Sequence, residues 1–258
     1  MHLLSPWRRA PSFTAADGLP ILLYHKVGDY RSGAAVKAHY VTPALFRAHL
    51  SFLAAAGYRT IGVRDILRYL RGERIAVERP IAITFDDGYE CVYSRAWPVL
   101  REFGFGAIVF VAAGHVGGVN DWEPRLRAPE PMLTADHIAE LARAGIEIGS
   151  HGMSHRPLTR LASARLREEL VASKRILEDM LEREVCALSY PCGDHDGRVR
   201  ALAAEAGYLA ACATERGVNR PGGDFFSLRR LNIRRYNYLP LFRRKLRRAY
   251  GLPAPRAE

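Results

Sequence analysis

One small unit occurs four times in this chain and constrains its fold more than any other feature: an apolar helical segment, a glycine, then a short apolar run. The instances "LAAAGYRTI", "LREFGFGAIVFVA", "LARAGIEIG" and "LAAEAGYLAACAT" place Gly57, Gly104, Gly145 and Gly207 where a helix ends in a left-handed residue. This is the helix-to-strand half of a βα repeat. Strands are predicted at 21–25, 59–61, 81–85, 107–112, 146–150, 185–190, 208–213 and 228–233. Helices are predicted at 43–56, 63–70, 94–103, 135–144, 162–181, 198–206 and 239–249, with Thr42 and Thr134 as N-caps. Such alternation predicts the α/β class with a largely parallel sheet, and about seven or eight strands favour a closed or nearly closed barrel in a single domain over an open sheet. At 258 residues and 48% hydrophobic content, the chain can bury one such core. The expected divisions are an irregular segment 1–19, the barrel 20–238, and a basic amphipathic helix or tail 239–258.

The net charge of +11 invites a nucleic-acid reading, but most arginines are spread along the helices among Glu and Asp, and no nucleic-acid partner is expected. The densest cluster is "RRYNYLPLFRRKLRRAYG", where Leu241, Phe242, Leu246 and Tyr250 form an apolar face opposite Arg243, Arg244, Lys245, Arg247 and Arg248. A helix packed on the domain with its basic face in water is the expectation, and peripheral contact with an anionic membrane is the alternative. No stretch approaches the ~20 apolar residues of a membrane span, and residues 1–20 hold no leader-like apolar core. The expected location is cytoplasmic, or at the inner membrane surface. Cys91, Cys186, Cys192 and Cys212 form no CxxC pair and suit a reducing compartment.

Sites in such barrels gather at the C-terminal ends of strands, so the strand ends are the place to search. In "ITFDDGY" an apolar strand ends in Asp86 and Asp87, and two adjacent carboxylates against a core need a cation or a proton to offset them. In "GSHGMSH" His151 and His155 stand four apart just after an apolar strand. Two imidazoles and a carboxylate are a normal ligand set for zinc or a similar divalent ion, and a three-ligand set leaves positions open for chemistry. Asp87, His151 and His155 are therefore the expected metal ligands. Asp86 is then available as a general base.

These motifs, "TFDDG", then "SHGMSH", then "SYPCG", resemble those of the polysaccharide deacetylases, the NodB-homology carbohydrate esterases, over about Pro20 to Tyr236. The resemblance implies a metal-dependent hydrolase with a distorted (β/α) barrel that removes acetyl groups from N-acetylated sugars, with zinc, cobalt, nickel or iron as the ion. It assigns Asp86 as base and Asp87, His151 and His155 as ligands. In the family's third motif, usually Arg-Pro-Pro-Tyr-Gly, the tyrosine position supplies a backbone N–H to the oxyanion. Here that position is Cys192, and Tyr190, Pro191 and Gly193 of the same turn are expected to line the substrate. Ser189 stands where the base-orienting arginine would be, which leaves Arg234 or Arg235 as its expected replacement.

The family's last motif ends in a histidine that protonates the leaving amine, whereas "LNIRRYN" has Tyr236 there, a poor acid at neutral pH. In the branch acting on poly-N-acetylglucosamine-type exopolysaccharides that histidine lies on the first strand, and "LLYHKV" is similar to that element, which makes His25 the expected acid. A satisfied core histidine is the rival for His25. His195 is expected to be an exposed loop residue rather than a partner for a nucleophilic Cys192. The substrate class is an N-acetylhexosamine-containing polysaccharide or a lipid-linked glycan precursor. Two alternatives stay open: a degenerate barrel that binds glycan without turnover, and an amidase acting on a small acetylated amine.

Overall fold

The structure, a computed structural model, describes residues 18–30, 36–122 and 128–250. Of the expected end segments, residues 1–17 and 251–258 lie outside the described residues. The strands are β1 (Ile21–Tyr24), β2 (Lys26–Val27), β3 (Tyr40–Val41), β4 (Arg59–Thr60), β5 (Pro80–Phe85), β6 (Ile108–Val111), β7 (Glu147–Ser150), β8 (Ala187–Ser189), β9 (Ala210–Arg216) and β10 (Leu228–Asn232). The helices are α1 (Pro43–Ala55), α2 (Val63–Leu70), α3 (Trp97–Glu102), α4 (Ala135–Arg143), α5 (Ser163–Leu181), α6 (Gly197–Glu205) and α7 (Leu239–Ala249).

Seven parallel strands close the barrel in the order β1-β10-β9-β8-β7-β6-β5, with β5 returning to β1. β4 is not part of that wall. It pairs with Pro80 and Ile81 at the start of β5, and β1 takes over the same edge from Ala82 to Phe85. β5 is long enough to serve both neighbours in turn, so the eighth strand becomes an appendage. β2 and β3 form a separate parallel pair, Lys26 opposite Tyr40 and Val27 opposite Val41.

The repeated glycine ends four helices in the same way. Gly57, Gly104, Gly145 and Gly207 have φ of 78, 64, 88 and 86°. In each case the next residue's N–H reaches back five residues, as Tyr58 does to Leu53 O and Ile146 to Leu141 O. This is the Schellman closure, which needs a residue without a Cβ penalty. Thr42 and Thr134 cap α1 and α4 by accepting from Leu45 N and His137 N. The expected helix at 94–103 begins instead with a wider π turn over Val92–Ala96. Pro98 has no N–H to donate into the preceding turn, which favours such a local rearrangement.

Alternate residues of each strand divide between two cores. Leu22, Tyr24, Ile81, Ile83, Phe85, Val109 and Val111 meet the outer helices. Ile21, Ala82, Ile108, Phe110, Ala187, Ala210, Cys212 and Leu228 fill the barrel, which α2 covers through Ile66, Leu67, Tyr69 and Leu70. The period of two decides which strand-end side chains point into the mouth.

α7 is packed on the domain rather than set apart as a tail. Phe242 is buried and stacks on His49 of α1 at 4.0 Å, and Leu246 and Tyr250 are buried beside it. Arg244 and Arg248 are exposed, so its apolar face is covered and its basic face is not. Among the described residues no helix is long and apolar enough to cross a membrane.

Candidate active site

The inward row of β5 runs Ala82, Thr84, Asp86, so the last apolar position gives way to a carboxylate at the barrel mouth. Asp86 is only 3% exposed. Arg230, fully buried on β10, grips it with two bonds, Nη1 to Oδ1 at 2.7 Å and Nη2 to Oδ2 at 2.7 Å. The Ser189 hydroxyl donates to Asp86 Oδ2 at 3.0 Å and accepts from Arg230 Nη2 at 2.9 Å. Arg230 also donates to Ala213 O and Thr84 Oγ1, at 2.8 and 3.2 Å. Burial pushes the Asp86 carboxyl up, but the Arg230 charge, with help from His151, holds it below its ordinary value.

This corrects the expectation for the base-orienting arginine. Arg235 is exposed and Arg234 donates to the Tyr236 hydroxyl, so neither reaches Asp86. Arg230 fills that role, and the small Ser189 leaves room for its guanidinium. The sequence did carry a signal. Arg230 stands between Leu228 and Leu231 in a strand where Arg229 takes the outward position. A base left without an arginine would favour the degenerate-barrel alternative, and Arg230 removes that ground.

Beside the base, Asp87 Oδ1 lies 3.1 Å from His155 Nε2 and 3.3 Å from His151 Nε2. The three ligand atoms all fall within 4.8 Å of one another. His151 Nδ1 sits 2.7 Å from Ser189 O, a bond that requires Nδ1 to carry the hydrogen and leaves the Nε2 lone pair aimed at the cluster. The His155 ring is stacked on Trp122 at 4.3 Å. Asp87 and His155 both adopt left-handed backbone, φ 77 and 55°. That costs roughly 1–2 kcal/mol each and persists only where the surroundings impose it. Gly88 follows with φ 84°, and a Cβ there would meet Val111 Cα at 3.2 Å, so the turn that aims Asp87 needs glycine. Burial pushes Asp87 up, yet its bonds to His151 and His155 hold it well below the carboxylate range. Burial opposes charge on His151, but Asp87 and Asp86 raise it above its ordinary value. One carboxylate oxygen and two imidazole nitrogens, converging with one tautomer set by a backbone carbonyl, fit a divalent cation.

The β2–β3 pairing shapes the opposite wall. Because Lys26 lies beside Tyr40, the residues just before them, His25 and His39, fall side by side, and their rings stack at 3.8 Å. His25 is buried, and its Nδ1 has no hydrogen-bond partner among the described residues. Burial pushes its imidazole down, while Asp87 and Asp86 pull the other way. His39 is pushed down to about 3, by burial first and then by His25.

The turn after β8 is divided. Cys192 is exposed with φ 59°, and Gly193 is half-buried with φ 72°. Pro191 is buried, and Tyr190 is fully buried with its hydroxyl donating to Phe226 O at 3.0 Å. The Tyr190 side chain therefore faces the core and not a substrate, a correction that follows from the alternation along β8. His195 is half-buried, stacked on Tyr190 at 4.7 Å with Nδ1 3.0 Å from Gly193 O. Tyr236 is 47% exposed on the rim.

A model of the polysaccharide deacetylase family matches residues 74–211, more than half of the chain and all of the Asp86, Asp87, His151 and His155 constellation. The chain belongs to the polysaccharide deacetylase family. YxkH of Bacillus subtilis strain 168, which carries the polysaccharide deacetylase name, is 29% identical over 215 residues, 83% of this chain and 71% of that protein. The poly-β-1,6-N-acetyl-D-glucosamine N-deacetylase of Escherichia coli K12 is 26% identical over 140 residues. That match spans 52% of this chain but only 20% of the relative. In fold, Streptococcus pyogenes deacetylase PplD superimposes with a TM-score of 0.78 at 23% identity, covering 88% of this chain and 97% of that one. IcaB from Ammonifex degensii gives 0.76 at 24% identity, covering 88% and 95%. Membership places the chain among the carbohydrate deacetylases.

Besides Arg230, the sequence reading missed two residues of this deacetylase site. His39 carries no local signal, because only the β2–β3 pairing brings it to His25. Glu169 on α5, 3% exposed, accepts from Met153 N at 2.9 Å, Ser154 N at 2.6 Å and the Ser154 hydroxyl at 2.9 Å. It thereby holds the loop between the two histidines. Its single sequence hint is a glutamate on the buried stripe of α5 beside Leu166 and Leu170. Glu169→Ala is expected to weaken divalent-cation binding, with zinc as the probe, roughly 10–100-fold, the usual effect of removing a group that orients ligands. Glu169→Gln, which keeps an acceptor, is expected to lose less. Zinc titration of the two variants decides this, and wild-type affinity in both would exclude the role.

Proposed function

We propose that the protein is a divalent-metal-dependent N-deacetylase that hydrolyses N-acetyl groups of an N-acetylhexosamine-containing glycan and releases acetate. The observation that carries this reading is the juxtaposition of a buried, arginine-held carboxylate, Asp86, with the Asp87, His151 and His155 donor set. The names of the Escherichia coli and Staphylococcus aureus relatives, poly-β-1,6-N-acetyl-D-glucosamine N-deacetylases, support the glycan class. A divalent cation bound by the three donors supplies Lewis acidity that polarises the acetyl carbonyl and acidifies a water.

Asp86 takes the proton of the attacking water. Its carboxylate has about four acceptor positions, of which Arg230 uses two and Ser189 one, so Oδ1 keeps a position for that water. The Arg230 clamp keeps Asp86 ionised through and below neutral pH, and so ready as a base. We assign the Cys192 N–H, at the exposed tip of the Pro191–Gly193 turn, to the developing oxyanion, a role that any side chain at that position allows. His25 delivers a proton to the departing amine, and its stacking on His39 keeps the ring in one plane.

His25→Ala is expected to lower acetate release from N-acetylglucosamine oligomers about 10²–10⁴-fold without lowering zinc content. The acid must carry its proton, and burial lowers the His25 pKa. Wild-type activity is therefore expected to fall as pH rises through a value below the ordinary ~6.5 of histidine. That alkaline limb should be absent in His25→Ala. Wild-type rates in the variant would remove His25 from the reaction.

A further inference from the structure

The mechanism leaves unused a cavity that shares Arg230 with its base. Between the ends of β9 and β10 lies a space of about 170 Å³, whose lining includes Thr214, Arg216, Arg230, Arg234, Tyr236 and Lys245, with Asn232 beside them. A slip in register accompanies it. Leu228 pairs with Cys212, yet Arg230, two residues on, pairs with Arg216, so β9 carries extra residues there. Such a bulge bends the strand and re-aims its side chains, here at the barrel mouth.

The lining is cationic and carries no carboxylate. Among the described residues, no Asp or Glu lies within ion-pair distance of Arg216, Arg234 or Lys245. The partners they do have are neutral. Lys245 donates to Asn232 O and to Asn237 Oδ1, and Arg234 Nη1 donates to the Tyr236 hydroxyl at 3.3 Å. These bonds hold Lys245 and Arg234 in place without neutralising them. Burial first, then the charges of Arg216 and Arg234, bring the Lys245 ammonium down to about 8. The fourth cation, Arg230, is committed to Asp86.

Most of the surplus positive charge of this chain sits on exposed helix faces, where solvation accounts for it. Arg234 and Lys245 are half-buried, and with the exposed Arg216 they converge from β9, the β10–α7 loop and α7 on one concavity. Lys245 turns toward it, while Arg244 and Arg248 of the same helix stay exposed. Three cations with the Thr214 and Tyr236 hydroxyls and the Asn232 amide exceed what a two-oxygen carboxylate can satisfy. They suit a group with three terminal oxygens and up to two negative charges.

We propose that this cavity is an anion subsite that receives a phosphoryl group carried by the glycan substrate, within reach of the sugar whose N-acetyl group Asp86 serves. The proposal rests on the N-deacetylase reading. The chemistry is shared by a sugar 1-phosphate and by a phosphodiester that joins a sugar to a lipid carrier.

Two readouts separate the subsite from the deacetylase reading. First, methyl phosphate is titrated calorimetrically into the zinc-loaded protein, into Arg216→Gln/Arg234→Gln/Lys245→Gln, and into His155→Ala. The triple variant is expected to bind at least about tenfold more weakly, the scale of lost charge-assisted contacts. His155→Ala is expected to bind as the wild type does, because the phosphate does not sit on the ion. Arg216 is exposed, so Arg216→Gln alone should fold normally and lose severalfold. Second, acetate release is compared between N-acetylglucosamine 1-phosphate, the same phosphate linked to a short polyprenyl chain, and neutral N-acetylglucosamine. The phosphorylated sugars are expected to have the higher kcat/KM in the wild type and to lose that advantage in the triple variant. The two phosphorylated substrates distinguish a free from a lipid-linked source.

Equal methyl phosphate binding in wild type and triple variant overturns the proposal. So does a wild type that favours neither phosphorylated sugar while turning over the neutral one. If no sugar releases acetate but phosphate binding still depends on the three cations, the anion site stands and the deacetylase reading falls.

Discussion

Replacing Arg230 with methionine is expected to lower stability by about 3–5 kcal/mol, the usual cost of removing one partner from a buried ion pair. The reason is that Asp86 does not regain water when its partner leaves. It remains buried beside Thr84 and Ser189, with one hydroxyl donor where it had three bonds. The pH dependence gives the cause away. In the wild type Asp86 lies below its ordinary value, so its stabilising contribution is fully present above the unfolded value of ~3.9 and is lost as pH falls through the depressed one. Without Arg230, burial is the largest influence left, and it pushes the carboxyl up. The deficit of Arg230→Met relative to wild type should thus be large at pH 7 and shrink toward pH 4, as the variant's Asp86 takes up a proton. Urea denaturation at the two pH values measures this. An equal deficit at both would mean that lost packing, not lost charge pairing, explains the effect. The same shift should move the acid limb of acetate release to higher pH, because the base is protonated sooner.

Asp86→Asn is expected to reduce acetate release about 10²–10⁴-fold while binding of added zinc stays at the wild-type level. An amide of the same shape cannot accept the proton of the attacking water. It also turns an N–H₂ group toward Arg230, where the wild type offers two acceptor oxygens, so some loss of stability accompanies the loss of rate. Metal analysis of the purified variant beside its rate separates base from ligand. A variant that loses zinc would make Asp86 a ligand, and one that keeps its rate would remove it from proton transfer. The contrasting substitutions are His151→Ala and His155→Ala, which should lower zinc content because each removes one of three donors.

Much of this molecule was legible before its fold. Four glycines at helix ends announced four helix-to-strand turns, because only glycine takes a left-handed C-cap without strain, and each closes its helix by the same bond pattern. The apolar strands announced their polar ends. Asp86, Asp87, His151 and His155 could be named because local alternation and the strand-end rule both act over a few residues. The apolar face of the last helix was equally plain, and Phe242 and Leu246 are buried on the domain.

What remained hidden depends on contacts between residues far apart in the chain. The identity of the arginine beside Asp86 is one such case. Arg230 and Asp86 are separated by 144 residues, and no local rule pairs them. Closure of the barrel at seven strands is another, decided by β5 offering one edge first to β4 and then to β1. His39 beside His25, Glu169 under the histidine loop, and the convergence of Arg216, Arg234 and Lys245 from β9, the β10–α7 loop and α7 follow the same logic. Periodicity and capping are short-range physics and can be read along the chain. Which charge meets which in a buried interior is settled by register and closure, and those belong to the folded barrel.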